Sequence, residues 1–197
     1  MSITTHCNMQ CPDCLYGMRF RTPEHSPHEV VIADSRFFTG MEDVTLTGGE
    51  PTVHPQFDLI VLNVKKLIAP TKLKMETNGV SYPRWKNLYA EFDEISVTHY
   101  IPSTWIGCPD NTRQVTAILA NHPNAKAPES KHVRNIPSTC NRPCSRTGRL
   151  HYSQRKLYGC CIGPGMAGSV GIEIGPDWRQ RISEMTVACS ECPLAEC

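Results

Sequence analysis

Apolar positions along this chain switch repeatedly between two spacings. Phe57 to Ala69 carries apolar residues at 57, 60, 61, 64, 67 and 68. That is one face of a helix, and Pro70 ends it. Lys72 to Glu76 reads as a strand, with Asn78-Gly79 turning the chain out of it. Pro83 to Phe92 predicts a helix with proline in its first turn. Glu94 to His99 alternates as a strand, and Thr112 to Ala120 predicts another helix. Upstream, Ser2 to Thr5 predicts a first strand and Glu29 to Phe38 a helix. Val44 to Thr47 is a short β-prone run that stops at Gly48-Gly49. Val133 to Ile136 predicts a further strand. After about Ser138 the texture changes. Leu150 to Cys161 predicts a hairpin with its turn near Ser153 to Arg155. Gly163 to Gly175 holds five of the 13 glycines, and a short helix from Trp178 leads into the last cysteines.

Strands alternating with helices of this length imply βαβ units and a parallel sheet. The pattern supplies four βα units and a fifth strand. A complete eight-unit barrel needs at least about 200 residues. This chain, with 197, can build only a partial, open one. The expected organisation is an α/β partial (β/α) barrel over residues 1–137 and a small Cys-rich α+β extension over 138–197. In parallel α/β architectures the chemistry collects at the C-terminal ends of the strands. The loops His6 to Cys14, Gly48 to Pro51, Thr77 to Gly79 and His99 to Tyr100 all follow strands, so they are expected on one face.

Hydrophobic content of 40% and charge of 20% describe a globular chain. The net charge of +1 argues against a dedicated binder of nucleic-acid polymers, while leaving a nucleoside substrate open. No stretch approaches the roughly 18–20 apolar residues that span a bilayer, since Asp58, Asn63, Lys65 and Lys66 interrupt the best run. The first residues lack the basic region plus apolar stretch of a signal peptide, so none is expected. A cytoplasmic protein without a membrane partner is expected. That makes 11 cysteines the anomaly. Their number is odd, and clustered cysteines in a reducing compartment point to metal or redox chemistry.

Cys7, Cys11 and Cys14 form a C-x3-C-x2-C loop after the first predicted strand. Three thiolates can hold three irons of a 4Fe-4S cube and leave the fourth iron open to an exogenous ligand. A zinc loop completed by His6 is the alternative. After the second strand comes Thr47-Gly48-Gly49-Glu50-Pro51. Two glycines let a ligand approach the backbone closely, and a glutamate there can accept hydrogen bonds from an ammonium group.

Together with Thr77-Asn78-Gly79 after the third strand, these motifs resemble the radical S-adenosylmethionine enzyme superfamily, over about residues 1 to 135. The resemblance implies that Cys7, Cys11 and Cys14 ligate a catalytic 4Fe-4S cluster. The unique iron would be chelated by S-adenosylmethionine, with Gly48, Gly49 and Glu50 at its methionine moiety. An electron from the cluster would cleave the cofactor, and the 5′-deoxyadenosyl radical would take a hydrogen atom from substrate. Ser96, Thr98, His99 and Tyr100, with Asn78, would face the ribose or carboxylate. Ordinary strand and turn roles are the alternative for Ser96, Thr98 and Asn78. One departure stands out: many members carry an aromatic or apolar residue just before the third cysteine, and here it is Asp13.

Seven cysteines follow Ser138. Cys140 and Cys144 precede the predicted hairpin, Cys160 and Cys161 end it, and Cys189, Cys192 and Cys197 close the sequence. The arrangement resembles the twitch or SPASM-type extensions of radical enzymes. It implies one auxiliary 4Fe-4S cluster on Cys144, Cys160, Cys189 and Cys192, with Cys140, Cys161 and Cys197 competing for the same places. A zinc ribbon is the alternative. By analogy with proteins carrying such extensions, the leading substrate is a peptide or protein side chain. A small-molecule dehydrogenation or nucleoside modification is the runner-up, and a non-enzymatic iron–sulfur or zinc scaffold the different-class alternative. A reducing partner such as flavodoxin or ferredoxin is implied, and the basic stretch Arg142, Arg146, Arg149, Arg155 and Lys156 could attract it.

Overall fold

The computed structural model describes residues 1–9, 11, 14, 23–100, 110–128, 150–158 and 171–184. Four parallel strands, β1 (Asp43–Leu46), β2 (Lys72–Thr77), β3 (Glu94–Val97) and β4 (Ala125–Lys126), lie side by side in that order. Helices α1 (His28–Ser35), α2 (Phe57–Ile68), α3 (Tyr82–Trp85) and α4 (Thr112–Asn121) alternate with them. Helix α2 buries Phe57, Ile60, Val61, Val64 and Ile68, as its spacing predicts. It ends where Ala69 adopts a left-handed conformation with φ 46° and donates its N–H to Lys65 O, a helix-terminating geometry. No described helix is long and apolar enough to cross a membrane.

Strand alternation sorts the sheet into two faces. Val44, Leu46, Leu73, Met75, Ile95 and Val97 are buried with the helix residues in one apolar cluster. Thr45, Lys74 and Glu94 sit in register on the other face. Glu76, Ser96 and Lys126 form the next row toward the strand ends. Two ion pairs, Lys74–Asp43 and Lys126–Glu94, each at 2.6 Å, lace this polar face together.

The predicted strand at Ser2 to Thr5 joins the sheet edge through isolated pairings. Ser2 pairs in parallel with both Thr47 and Ser153. Ile3 N donates to Thr47 O at 3.0 Å and Ser2 N to Tyr152 O at 2.7 Å. The N-terminal segment therefore lies between β1 and the predicted hairpin. That hairpin is β5 (His151–Ser153) and β6 (Lys156–Tyr158), with β7 (Ile172–Glu173) antiparallel on its far side. Its turn residues Gln154 and Arg155 have φ of 49° and 63°, the doubly positive pattern of a two-residue hairpin turn. Helix α5 (Trp178–Ser183) follows. Tyr152, Leu157 and Trp178 lie in the same buried cluster as Ile3, Phe38 and Leu46, so these parts share one core.

The structure differs from the sequence pattern in several places. The helix predicted over 83–92 is two short pieces, α3 and a 3-10 turn at Leu88–Glu91; Asn87, a poor interior helix residue, lies at the break. The strand predicted over 94–99 stops at Val97, because the Asn111 side chain takes the Thr98 carbonyl at 2.8 Å. Strands β4 and β7, two residues each, carry too little periodicity to read. The strand predicted at Val133 to Ile136 lies outside the described residues.

Candidate functional site

Loops leaving β1, β2 and β3 meet the start of the cysteine loop. At the end of β1, Gly48 and Gly49 pack against the chain's own N-terminal segment. A Cβ on Gly48 would stand 2.5 Å from Thr4 O, and one on Gly49 would stand 2.3 Å from His6 O. The close approach that glycine permits here is made by the chain itself. Gly49 N donates to Thr4 O at 2.8 Å and Glu50 N to His6 O at 2.9 Å. These two bonds hold the backbone just before Cys7 against the Gly-Gly turn.

Glu50 caps the 3-10 turn Pro51–Val53 and is 1% exposed. Its Oε1 accepts from Thr52 N at 3.2 Å, Thr52 Oγ1 at 2.5 Å and Thr77 Oγ1 at 2.7 Å. Its Oε2 accepts from Asn78 N at 2.6 Å. Burial pushes the Glu50 carboxyl above the ordinary carboxylate range, against the downward pull of these hydrogen bonds. A cofactor amino group reaching this carboxylate would meet it at Oε2, which carries one hydrogen bond where Oε1 carries three.

Asn78 links the same loops to the thiols. Its Nδ2 donates to Asn8 Oδ1 at 2.7 Å and lies 3.9 Å from Cys7 Sγ, within donating distance of sulfur. Behind it, Asn111 is fully buried and donates to both Asn78 O, at 2.6 Å, and Thr98 O, at 2.8 Å. Asn111 Oδ1 accepts from Tyr100 N at 2.7 Å. Asn111 stands at the N-cap position of α4 yet makes no capping bond; its side chain ties the ends of β2 and β3 instead. Nothing in the sequence marks it as a cross-strand tie.

Cys7, Cys11 and Cys14 are free, half-buried thiols. Burial pushes the Cys7 thiol up to about 12. A backbone N–H from Met9 pulls it down, while the charges of Glu50, Cys11 and Cys14 push it further up. The three sulfurs thus feel one another, and together as bare thiolates they would repel. A cationic iron core is the partner that relieves such a set. Among the described residues no three His, Cys, Asp or Glu side chains converge tightly enough for a single metal ion. One ring nitrogen of His6, its Nδ1, faces His25 Nε2 at 3.4 Å.

The other residues singled out in the sequence are spread around this centre. Thr98 is joined to it through Asn111, and His99 Nε2 lies 2.9 Å from Thr112 Oγ1 at the start of α4. Ser96 sits on the polar face, paired with Glu76 and Lys126. A cavity of about 450 Å³ lies on that face, between Thr45, Lys74, Glu76 and Ser96 of the sheet and Phe38 and Tyr152 at its side. It is flanked by the strand-end residues Thr47 and Ser96 and does not include the thiols themselves. Arg155 and Lys156 of the hairpin face Asp34 and Glu173 at 3.7 and 3.8 Å, which partly spends their charge. Asp13, Cys108, Cys140, Cys144, Cys160, Cys161, Cys189, Cys192 and Cys197 lie outside the described residues, as do Arg142, Arg146 and Arg149.

Fold and site together define an α/β protein of parallel-sheet type whose strand-end loops meet the backbone leading into Cys7 at a Gly-Gly-Glu turn. Residues 1–103 match the sequence model of the Radical SAM superfamily, and the chain belongs to that superfamily. Its relatives include a probable GTP 3′,8-cyclase from Pyrococcus horikoshii, 37% identical over 41% of this chain and 26% of that protein. The mitochondrial GTP 3′,8-cyclase of Arabidopsis thaliana is 31% identical over 52% of this chain and 29% of its own length. The match therefore spans less than a third of these relatives. Among solved structures, BtrN in complex with AdoMet and 2-DOIA is similar with a TM-score of 0.45 and 16% identity, covering 64% of this chain and 53% of that one.

Proposed function

We propose that this chain is an enzyme that holds a 4Fe-4S cluster on Cys7, Cys11 and Cys14 and uses S-adenosylmethionine as its source of a substrate radical. When bound, the cluster supplies the electron that cleaves the cofactor's sulfonium C–S bond. The protein's part is to orient and to exclude water. Gly48, Gly49 and Glu50 would hold the methionine moiety, with Asn78, Thr98 and His99 on the loops beside it. Ser96 looks onto the substrate from the polar face. The observation that carries this reading is the unbroken contact from Cys7 through Asn78 to Glu50, which joins the thiol loop to two strand ends.

A small molecule of nucleotide size is the favoured substrate. The curated relatives are named for GTP. The cavity on the polar face, about 450 Å³, falls in the range of small-ligand pockets. Modification of a peptide or protein side chain rests on the cysteine pattern of the tail alone. So does the auxiliary 4Fe-4S cluster of a twitch or SPASM-like extension, on Cys144, Cys160, Cys189 and Cys192. A flavodoxin or ferredoxin completes the proposal as reductant.

The test is anaerobic reconstitution with iron and sulfide, then dithionite and S-adenosylmethionine. Formation of 5′-deoxyadenosine with about eight irons per chain supports both clusters, and about four irons removes the auxiliary one. Bound zinc with no 5′-deoxyadenosine overturns the proposal in favour of a scaffold. Stimulation by a panel of nucleotides, against none by peptides, decides the substrate class.

A further inference from the structure

We infer that Asn78 sets the redox potential of the cluster by donating a side-chain N–H···S hydrogen bond to Cys7; this inference rests on the cluster assignment just proposed. The orientation of the amide is fixed by its neighbours. Asn78 Oδ1 accepts from Val80 N at 3.0 Å, so the NH2 end must face the thiol loop. That end carries two hydrogens. One goes to Asn8 Oδ1 at 2.7 Å, and Cys7 Sγ lies 3.9 Å from the same nitrogen.

The backbone beneath the amide is held on both sides. Asn78 N–H is given to Glu50 Oε2 at 2.6 Å, and Asn78 O accepts from Asn111 Nδ2 at 2.6 Å. Asn111 is in turn fastened to Thr98 and Tyr100. The donor therefore has no slack with which to retreat. Asn78 is 5% exposed, so little water competes for the sulfur. The four-way anchoring goes beyond what the turn at Asn78-Gly79 needs, and it aims a preorganised dipole at one ligand.

The direction of the effect follows from charge. Reduction adds negative charge to the cluster and its thiolates, and a donor to a ligand sulfur stabilises that charge. Removing the Asn78 donor takes away a hydrogen bond to the Cys7 sulfur, so reduction becomes harder.

The test uses the reconstituted full chain with Asn78→Ser and Asn78→Ala. Serine keeps a side-chain oxygen for the turn at Val80 but is too short to reach the sulfur. Iron and sulfide content is measured first, then the midpoint potential by redox titration followed by electron paramagnetic resonance, without S-adenosylmethionine. The expected result is wild-type iron content with the midpoint moved to more negative potential in both variants. Wild-type iron with a wild-type midpoint overturns the inference. Loss of iron from both variants, with the fold retained by circular dichroism, also overturns it, since Asn78 would then be needed for assembly. A wild-type protein that takes up no cluster overturns the proposed function instead, which keeps the two failures apart.

Discussion

Glu50 Oε2 accepts the backbone N–H of Asn78 at 2.6 Å, so a carboxylate from the end of β1 closes the end of β2. Thr77 Oγ1 completes the clasp at 2.7 Å, while itself accepting from Gly79 N at 2.9 Å. Thr77→Val keeps the shape and deletes the hydroxyl. It leaves a buried carboxylate short of one donor, for which about 1.5–3 kcal/mol of stability is expected to be lost. Urea denaturation measures this, and an unchanged midpoint would show that the clasp contributes nothing.

Gly49→Ala tests the contact between the Gly-Gly turn and the N-terminal segment. The new Cβ would stand 2.3 Å from His6 O and 2.6 Å from His6 C, both backbone atoms with no rotamer to relax into. A loss of at least about 3 kcal/mol is expected. A variant as stable as wild type would mean that the segment before Cys7 is free to move.

Tyr152→Phe tests how the hairpin is fastened. The phenol donates to Asp34 Oδ2 at 2.7 Å, and both groups are buried. Burial, together with the Asp34 carboxylate, pushes the phenol above its ordinary range. Without it Asp34 keeps only the distant Arg155 Nε at 3.7 Å among its described ion-pair partners. The expected cost is about 1.5–3 kcal/mol. A double-mutant cycle with Asp34→Asn should show coupling between the two sites, and strict additivity would refute the pairing.

Acid should weaken the fold through buried histidine. His54 is 1% exposed and uses both ring nitrogens, one facing Ser26 O at 2.8 Å and one accepting from Gln56 N at 3.1 Å. Burial lowers its pKa from 6.5, the Ser26 carbonyl opposes that, and His28 adds to it. His25 and His122 are lowered mainly by burial as well. The unfolded chain then binds more protons than the folded one as pH falls through 6.5, so stability drops in that window. Glu50 works in the opposite sense, because its raised pKa makes its ionised form a cost that disappears on protonation. Comparison with His54→Gln isolates the histidine. Denaturation midpoints of the variant should fall less steeply below pH 6.5, and an identical slope would contradict the assignment.

Much of this architecture was legible from local pattern, because helix α2 and strand β2 each bury a face whose period stands in the sequence. The Gly-Gly-Glu turn was legible because its motif is short. What escaped was the set of relationships made across the chain. Ser2 meets Ser153, and Asn111 meets Asn78, through contacts that no window of sequence contains. The glycines were read as room for a ligand, and the sequence does not show that the side a Cβ would occupy faces Thr4 and His6. Strand β4 escaped for a different reason: two residues make no period.

The placement of Ser2 between Thr47 and Ser153 also sets an order of events during synthesis. Pairing with β1 becomes available early, but the carbonyl that takes Ser2 N–H belongs to Tyr152, which is made much later. Until the hairpin arrives, the segment leading into the cysteine loop is an unprotected sheet edge, open to pairing with another chain. Closing that contact is slow, because so much chain must be looped to make it. Chains that stop short of β5 are therefore expected to aggregate through this edge.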